Sequence, residues 1–166
     1  MLRMTTIDSP IGPLMITLDA SGALAYLAFD GWRNQPAVSE VRGADDDFEP
    51  IIRQVTGYFA GEVSEFDVDL APDGNEFQRS VWELLCQIPY GETRTYGELA
   101  TALGDRSLAR SIGTACASNP IALIIPCHRV IGADGSLTGF GGGLDRKEYL
   151  LHLENPERPL NPRLFA

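Results

Sequence analysis

The stretch TYGELATALGDRSLARSIGTACASNP, residues 95–120, decides how the second half of the chain folds. Thr95 can cap a short helix that runs from Tyr96 to Leu103 and ends at Gly104. Ser107 can cap a second helix, from residue 108 to about 118, which the following Asn-Pro pair ends. Two short helices joined by a tight, glycine-containing turn predict a helix-turn-helix. Many helix pairs share this outline, so it indicates a fold and not yet a function.

Further elements flank the helix pair on both sides. Before it, residues 77–88 carry apolar side chains at helical spacing and are followed by Pro89, which ends a helix. After it, the apolar run 123–131, LIIPCHRVI, leads into a glycine-rich loop at 139–143 and a last helix over 144–153. Residues 73–166 therefore predict a mainly α C-terminal domain.

The first part of the chain predicts a small α/β domain, residues 1–72. Two apolar strands, Leu14–Leu18 and Ala23–Phe29, flank the turn at 19–22 and predict an antiparallel hairpin. Helical spacing follows over Phe48–Phe59, and alternation over Phe66–Leu70 predicts another strand. The turn APDG at 71–74 marks the boundary.

Charge is distributed unevenly along the chain. The net charge is -10, from 23 acidic and 13 basic residues. Thirteen of the acidic residues but only four of the basic ones precede residue 76, so the acidity is concentrated in the N-terminal domain. Phosphate contacts supply most of the non-specific affinity of a protein for DNA. The nearly neutral C-terminal domain leaves such contacts open, and we expect modest affinity with strong salt dependence.

The cysteines indicate reactive chemistry more readily than cross-linking. Cys86, Cys116 and Cys127 are too few and too widely spaced for a disulfide framework. Neither His128 nor His152 is spaced with cysteines as zinc ligands are, so we expect no metal and no cofactor. Cys86, Cys116 and His152 are expected to be structural, which leaves the Cys127-His128 pair as the candidate site.

Targeting and membrane signals are absent from the sequence. The longest apolar run, Ala23–Phe29, is too short to cross a bilayer. The first six residues lack the apolar segment of a signal peptide. We therefore expect a cytoplasmic protein that does not engage a membrane.

The run Pro126-Cys127-His128-Arg129-Val130, behind a helix-turn-helix and ahead of a glycine-rich loop, resembles the active-site signature of O6-alkylguanine-DNA alkyltransferases. The resemblance covers nearly the whole chain and is strongest from Phe77 to Glu154. It implies a ribonuclease H-like α/β N-terminal domain with a small antiparallel sheet and helix, and a mainly α C-terminal domain with a winged helix-turn-helix. It also implies DNA repair by direct reversal, in which a methyl or other alkyl group moves irreversibly from O6 of guanine to Cys127. O4-alkylthymine is a second candidate substrate.

The chemistry explains why these residue types are needed. Displacement at an alkyl carbon calls for a thiolate, and free cysteine is mostly protonated at neutral pH, so a base must take the proton. The resemblance implies that His128 reaches the thiol through a water molecule and that Glu154 orients His128. It further implies that Tyr96 supplies a proton to the leaving guanine. Such a relay works like a catalytic triad.

The implied partner is double-stranded DNA containing O6-alkylguanine, bound through its minor groove by a monomer that can cluster along the duplex. The target atom lies inside the duplex, so the nucleotide must be flipped out. In the family an arginine on the second helix fills the vacated stack, and Arg110 matches it. The other implied DNA contacts are Thr95, Ala115, Ala117 and Ser118. Asn119 matches an asparagine that ties this helix to the active-site segment, and the implied pocket walls are Val130, Phe140 and Gly141.

Three positions depart from the family's pattern. Phe140 stands where many relatives carry tyrosine, Gly141 replaces a small side chain, and Ala117 stands where some relatives have a second basic residue. These differences bear on substrate range and affinity, and they leave the nucleophile and the base in place.

Three other functions share some of these residues. Alkyltransferase-like proteins bind alkylated DNA but lack the acceptor cysteine, which is present here as Cys127. A thiol-based regulator would read the major groove, for which the second helix offers few long polar side chains. A cysteine hydrolase using Cys127, His128 and Glu154 would turn over many times, whereas an alkyltransferase acts once because a thioether has no ready route back to thiolate.

Overall fold

A computed structural model of the chain describes residues 2–36, 46–137 and 139–158. The chain divides into two compact units. Unit 1 consists of Met1–Asp73 and Pro120–Ile124, and unit 2 of Gly74–Asn119 and Ile125–Ala166. The predicted domains, 1–72 and 73–166, are each one continuous stretch, whereas the short segment 120–124 belongs to unit 1 by its contacts.

Unit 1 is built on a three-stranded antiparallel sheet in the order β1-β2-β3. Its strands are β1 (Arg3–Ile7), β2 (Leu14–Leu18) and β3 (Leu24–Phe29). The predicted hairpin between β2 and β3 is confirmed. In its turn, the Asp19 carboxylate accepts hydrogen bonds from the backbone N–H groups of Ser21 and Ala23, at 2.8 and 3.0 Å. No strand is predicted for β1, because apolar and polar side chains do not alternate regularly in its sequence, RMTTI.

Helix α1 (Glu49–Phe59) confirms the predicted helix and buries Ile51, Val55 and Tyr58. The predicted strand over residues 66–70 is wrong, since only Leu70 forms a β-bridge, to Leu24. The side chain of Gln54 supplies the reason. Its Oε1 accepts from the backbone N–H of Asp67 at 2.7 Å, and its Nε2 donates to the Asp67 carbonyl at 3.1 Å. A side-chain amide therefore takes the place of a neighbouring strand.

Unit 2 is mainly helical, and with the small sheet and helix of unit 1 the predicted fold class is confirmed. Its helices are α2 (Glu76–Cys86), α3 (Tyr96–Ala102), α4 (Ala109–Ala117) and α5 (Leu144–Glu154). Two short strands, β4 (Arg94–Thr95) and β5 (Val130–Ile131), pair in parallel. Helix α2 begins with a capping box in which Asn75 and Gln78 each bond the backbone N–H of the other.

Helices α3 and α4 form the predicted helix pair. Thr95 caps α3 as predicted, with its hydroxyl oxygen accepting from the N–H of Glu98 at 3.1 Å. The prediction that Ser107 caps the second helix is wrong. A 3-10 turn, Arg106–Leu108, precedes α4, and the carboxylate of Asp105 accepts from the N–H of Ser107 at 2.9 Å. The charged carboxylate of Asp105 accepts a stronger hydrogen bond than a hydroxyl does, and it lies two residues earlier in the chain.

Helix α4 is fastened to the core of unit 2 along one side. Ile112, Ala115 and Cys116 are buried, and the indole N–H of Trp82 on α2 donates to the carbonyl of Ala115 at 3.0 Å. Arg110 and Thr114 lie exposed on the opposite side. In the part of the chain that the structure describes, no helix is both long and apolar enough to cross a membrane.

Candidate active site

Cys127 opens a 3-10 turn, Cys127–Arg129, just before β5. The residue is 5% exposed. Its sulfur accepts a hydrogen bond from the side-chain amide of Asn119, with Nδ2 at 3.2 Å from Sγ. The same Nδ2 donates to the carbonyl of Ile125 at 2.8 Å. Because Asn119 follows α4 within two residues, it connects the end of that helix to the turn that carries the thiol.

The surroundings of Cys127 keep its resting form a thiol. Burial raises the pKa of Cys127, while the hydrogen bond from Asn119 and the charge of Lys147 act to lower it. A protonated, buried sulfur is a weak nucleophile. Any reaction at Cys127 therefore needs a nearby base to take the proton.

His128 offers such a base. It is 0% exposed, and its Nε2 lies 2.7 Å from Oε2 of Glu154, at the end of α5. Burial lowers the pKa of His128, and the carboxylate of Glu154 opposes that shift. Burial acts to raise the pKa of Glu154, but hydrogen bonds and charge from His128 and Arg129 hold it well below its usual range. An ionised carboxylate can only accept, so Nε2 carries the imidazole proton and Nδ1 keeps a lone pair.

The Nδ1 atom of His128 is buried and makes no hydrogen bond to any residue within 2–36, 46–137 or 139–158. A neutral imidazole nitrogen with a free lone pair can accept a proton or a hydrogen bond from water. The neutral imidazole is thus arranged to accept a proton through Nδ1. The structure brings His128 to Glu154 and Asn119 to Cys127, and the peptide bond joins Cys127 to His128.

Two buried basic residues belong to the same site and were not predicted. Arg129 bonds both carboxylate oxygens of Glu154, and the Nζ of Lys147 donates to the carbonyl of Val130 at 2.6 Å. Burial lowers the pKa of Lys147 to about 8. Both could have been suspected from sequence, since a charged residue in an apolar run or on the inner face of a helix needs a buried partner.

The pairing of β4 with β5 places the start of α3 beside the thiol-bearing turn. Arg94 pairs with Val130, and Thr95 with Ile131. Tyr96 follows directly, half-buried at the first position of α3. A side-chain carbon built on Gly113 would lie 3.7 Å from its ring, so Tyr96 packs against α4.

The expected DNA-contact residues differ in exposure. Arg110 is exposed, and Thr95, Ala117 and Ser118 are half-buried. Ala115 is 2% exposed and its carbonyl accepts from the indole N–H of Trp82, so Ala115 offers little surface to DNA.

The three residues expected to wall a pocket lie around β5 and the following loop. Val130 is fully buried, Phe140 is half-buried, and Gly141 is exposed. Cys86 is exposed and Cys116 is buried, and both carry free thiols. Over the described ranges, no three His, Cys, Asp or Glu side chains are grouped so as to hold a metal ion.

Comparison with known proteins places both parts of the chain. Residues 2–72 match the ribonuclease-like domain of 6-O-methylguanine DNA methyltransferase, and residues 76–156 match its DNA-binding domain. A methylated-DNA–protein-cysteine methyltransferase of Methanosarcina acetivorans is 51% identical over 148 residues, covering 89% of this chain and 94% of its own. One from Mycobacterium bovis is 48% identical over 166 residues, covering 99% of each chain.

Solved structures agree with the sequence comparison. A crystal structure of Mycobacterium tuberculosis OGT in complex with DNA matches with a TM-score of 0.88 and 46% identity, covering 99% of each chain. The matched domains, the high identity and the shared fold lead to one conclusion: this chain belongs to the 6-O-methylguanine DNA methyltransferase family.

Proposed function

We propose that this chain repairs double-stranded DNA by moving the alkyl group of O6-alkylguanine onto the sulfur of Cys127, once per molecule. The observation that carries the proposal is the imidazole of His128, which is bound to a carboxylate on one side, keeps an unpaired nitrogen on the other, and adjoins the thiol in sequence. The relatives that match over nearly the whole chain are named for this reaction. Residues 73–166 contain every side chain that the reaction uses.

The reaction begins with the proton of Cys127. It passes through a water molecule to Nδ1 of His128, and Glu154 stabilises the imidazolium that forms. The thiolate attacks the alkyl carbon, so that an S–C bond forms as the C–O6 bond breaks and its electron pair stays on guanine. Tyr96 then supplies a proton to the leaving base. The thioether product has no route back to thiolate, and the molecule is spent.

DNA binding is assigned to the exposed side of α4 and the start of α3. Arg110 is exposed there, and its neighbours Gly113 and Ala117 have little or no side chain, so α4 can approach the floor of the minor groove closely. Arg110 fills the stack that the flipped nucleotide leaves. Thr95 and Ser118 lie at the edges of this surface, and Val130, Phe140 and Gly141 wall the pocket for the flipped base.

The acceptor assignment is tested with an oligonucleotide duplex that carries O6-methylguanine. We expect one methyl group per chain, located by mass spectrometry on the peptide that contains Cys127. Cys127→Ser should abolish transfer and keep DNA binding, whereas Cys86→Ser, the control for an exposed thiol, should transfer as the parent does. Several turnovers per molecule, or methyl on another residue, would refute the proposal.

The role of Arg110 is tested by comparing duplex and single-stranded substrates. Arg110→Ala should slow transfer from the duplex and have little effect on the single strand, since only the duplex needs its stack filled. Arg106→Ala removes another exposed charge, just before α4, and serves as the matched control. Equal rates for Arg110→Ala and the parent on duplex DNA would show that Arg110 does not fill the stack.

We propose further that the chain acts as a cytoplasmic monomer that can cluster on one duplex. Sedimentation equilibrium should give one copy without DNA and a rising number of copies as the oligonucleotide is lengthened. A stable dimer without DNA would contradict this.

A further inference from the structure

Arg129 makes several buried contacts that the reaction steps proposed above do not use. Its Nε lies 2.7 Å from Oε1 of Glu154, and its Nη2 lies 3.0 Å from Oε2. Its Nη1 donates to the carbonyl of Ile88 at 2.6 Å. The ring of Tyr90 lies 5.8 Å from the guanidinium carbon, and Arg129 is 7% exposed. A guanidinium held this way is a rigid, buried, bidentate clamp on one carboxylate.

The clamp acts on the same oxygen that faces the imidazole. Oε2 of Glu154 accepts both from Nη2 of Arg129 and from Nε2 of His128. Two parallel bonds from the guanidinium fix the plane of the carboxylate and hence the direction in which Oε2 meets the ring. The positive charge of Arg129 also offsets the negative charge that would otherwise favour an imidazolium.

We infer that Arg129 is a positioning residue for the alkyl transfer: by fixing and neutralising Glu154, it keeps His128 a neutral base whose Nδ1 can accept the proton of Cys127. This inference rests on the proposed function and adds to it a residue that touches neither substrate nor sulfur.

The charges around His128 come from two elements of unit 2. Helix α5 supplies Glu154 and Lys147, and the 3-10 turn supplies Arg129. Burial lowers the pKa of His128, Glu154 opposes this, and the charges of Arg129 and Lys147 act in the same direction as burial. Removing the charge of Arg129 while Lys147 stays in place therefore raises the pKa of His128.

The first test measures the single-turnover rate of transfer against pH for Arg129→Met and Arg129→Lys. In Arg129→Met, the pKa of His128 is higher than in the parent, so the acidic limb of the rate profile moves to higher pH. We expect a loss of about tenfold or more near pH ~6.5 that shrinks as the pH rises, since a positioned general base contributes on the order of 10²–10⁴-fold. Arg129→Lys keeps the charge and should leave the limb where the parent has it. Arg53→Met, which removes an exposed arginine of α1, is the control.

The second test reads the imidazole directly and needs no DNA. The chain has two histidines, so His152→Gln leaves His128 as the one imidazole signal in ¹⁵N spectra. In a pH titration, we expect the ring of His128 to stay neutral and protonated on Nε2 over the same range in the parent and in Arg129→Lys, and to become an imidazolium at higher pH in Arg129→Met. If Arg129→Met does not fold, the protonation state of the His128 ring in Arg129→Lys tests the inference instead.

The outcomes separate this inference from the proposed function. A uniform loss of rate at every pH in Arg129→Met, or an imidazolium in Arg129→Lys, would overturn the role of Arg129. A parent protein that moves no methyl group to Cys127 would instead overturn the proposed function, while the ¹⁵N spectra would still decide what Arg129 does to His128.

Discussion

The side-chain nitrogen of Asn119 lies 3.2 Å from the sulfur of Cys127 and 2.8 Å from the carbonyl oxygen of Ile125. One amide therefore joins the end of α4 to the turn that presents the thiol. Asn119 is 0% exposed, so no water competes for these two bonds. The position of Cys127 depends on a residue that belongs, by sequence, to the helix-turn-helix.

Replacing Asn119 with alanine should affect both stability and reactivity. The carbonyl of Ile125 would be left buried without its donor, which costs about 1–3 kcal/mol of unfolding free energy. The thiolate of Cys127 would also lose a hydrogen bond that lowers its pKa. We expect a lower denaturation midpoint and slower modification of Cys127 by iodoacetamide, measured on the peptide. Unchanged reactivity would show that the Asn119 contact does not stabilise the thiolate.

Glu154→Gln should lower the free energy of unfolding near neutral pH and have a smaller effect in acid. Glu154 is ionised in the folded state because its pKa is held below the usual range. Its contribution to the free energy of unfolding is therefore complete above the pKa of glutamate in the unfolded chain, about 4.3, and is lost as the pH falls below that value. In Glu154→Gln the buried Arg129 loses its charged partner, which costs about 3 kcal/mol or more near neutral pH. Chemical denaturation at several pH values should show the difference between parent and variant narrowing below pH ~4.3. A constant difference would contradict an ionised Glu154.

Lys147→Met tests the cost of a buried ammonium. The pKa of Lys147 is lowered to about 8 in the folded state, so between that value and about 10.4 the unfolded chain binds more protons than the folded one. The stability of the parent relative to the variant should therefore rise across this range, by about 3 kcal/mol at most. Chemical denaturation of both proteins at pH ~8 and ~10 measures this rise. If the unfolding free energy of the parent fell relative to that of Lys147→Met, Lys147 would not be buried as a charge.

Gly113→Ala should stabilise the protein. The added methyl group would lie 3.7 Å from the ring of Tyr96, an ordinary contact distance. A glycine inside a helix costs about 0.5–1 kcal/mol relative to alanine, so α4 should gain by that amount. Thermal unfolding should show a higher midpoint. A lower one would mean that Tyr96 and α4 pack more closely than 3.7 Å allows.

Local patterns predicted the elements whose stabilising bonds are local. The hairpin turn at Asp19 and the cap at Thr95 both use partners within four residues, and both were predicted correctly. The strand expected over residues 66–70 failed because Gln54, from α1, bonds the backbone of Asp67. A side chain thirteen residues away leaves no trace in the alternation of the segment itself.

The amino-acid sequence alone determined the kind of chemistry, because the peptide bond fixes Cys127 beside His128. The helix-turn-helix was likewise predicted from the spacing of apolar residues and from capping residues. Only the tertiary structure decided how that chemistry is tuned. The bonds from Glu154 to His128 and Arg129 span 26 and 25 residues, and they form only once α5 packs beside the 3-10 turn. Burial then sets which groups are charged, since desolvation depends on the neighbours that packing supplies and not on the order of the chain.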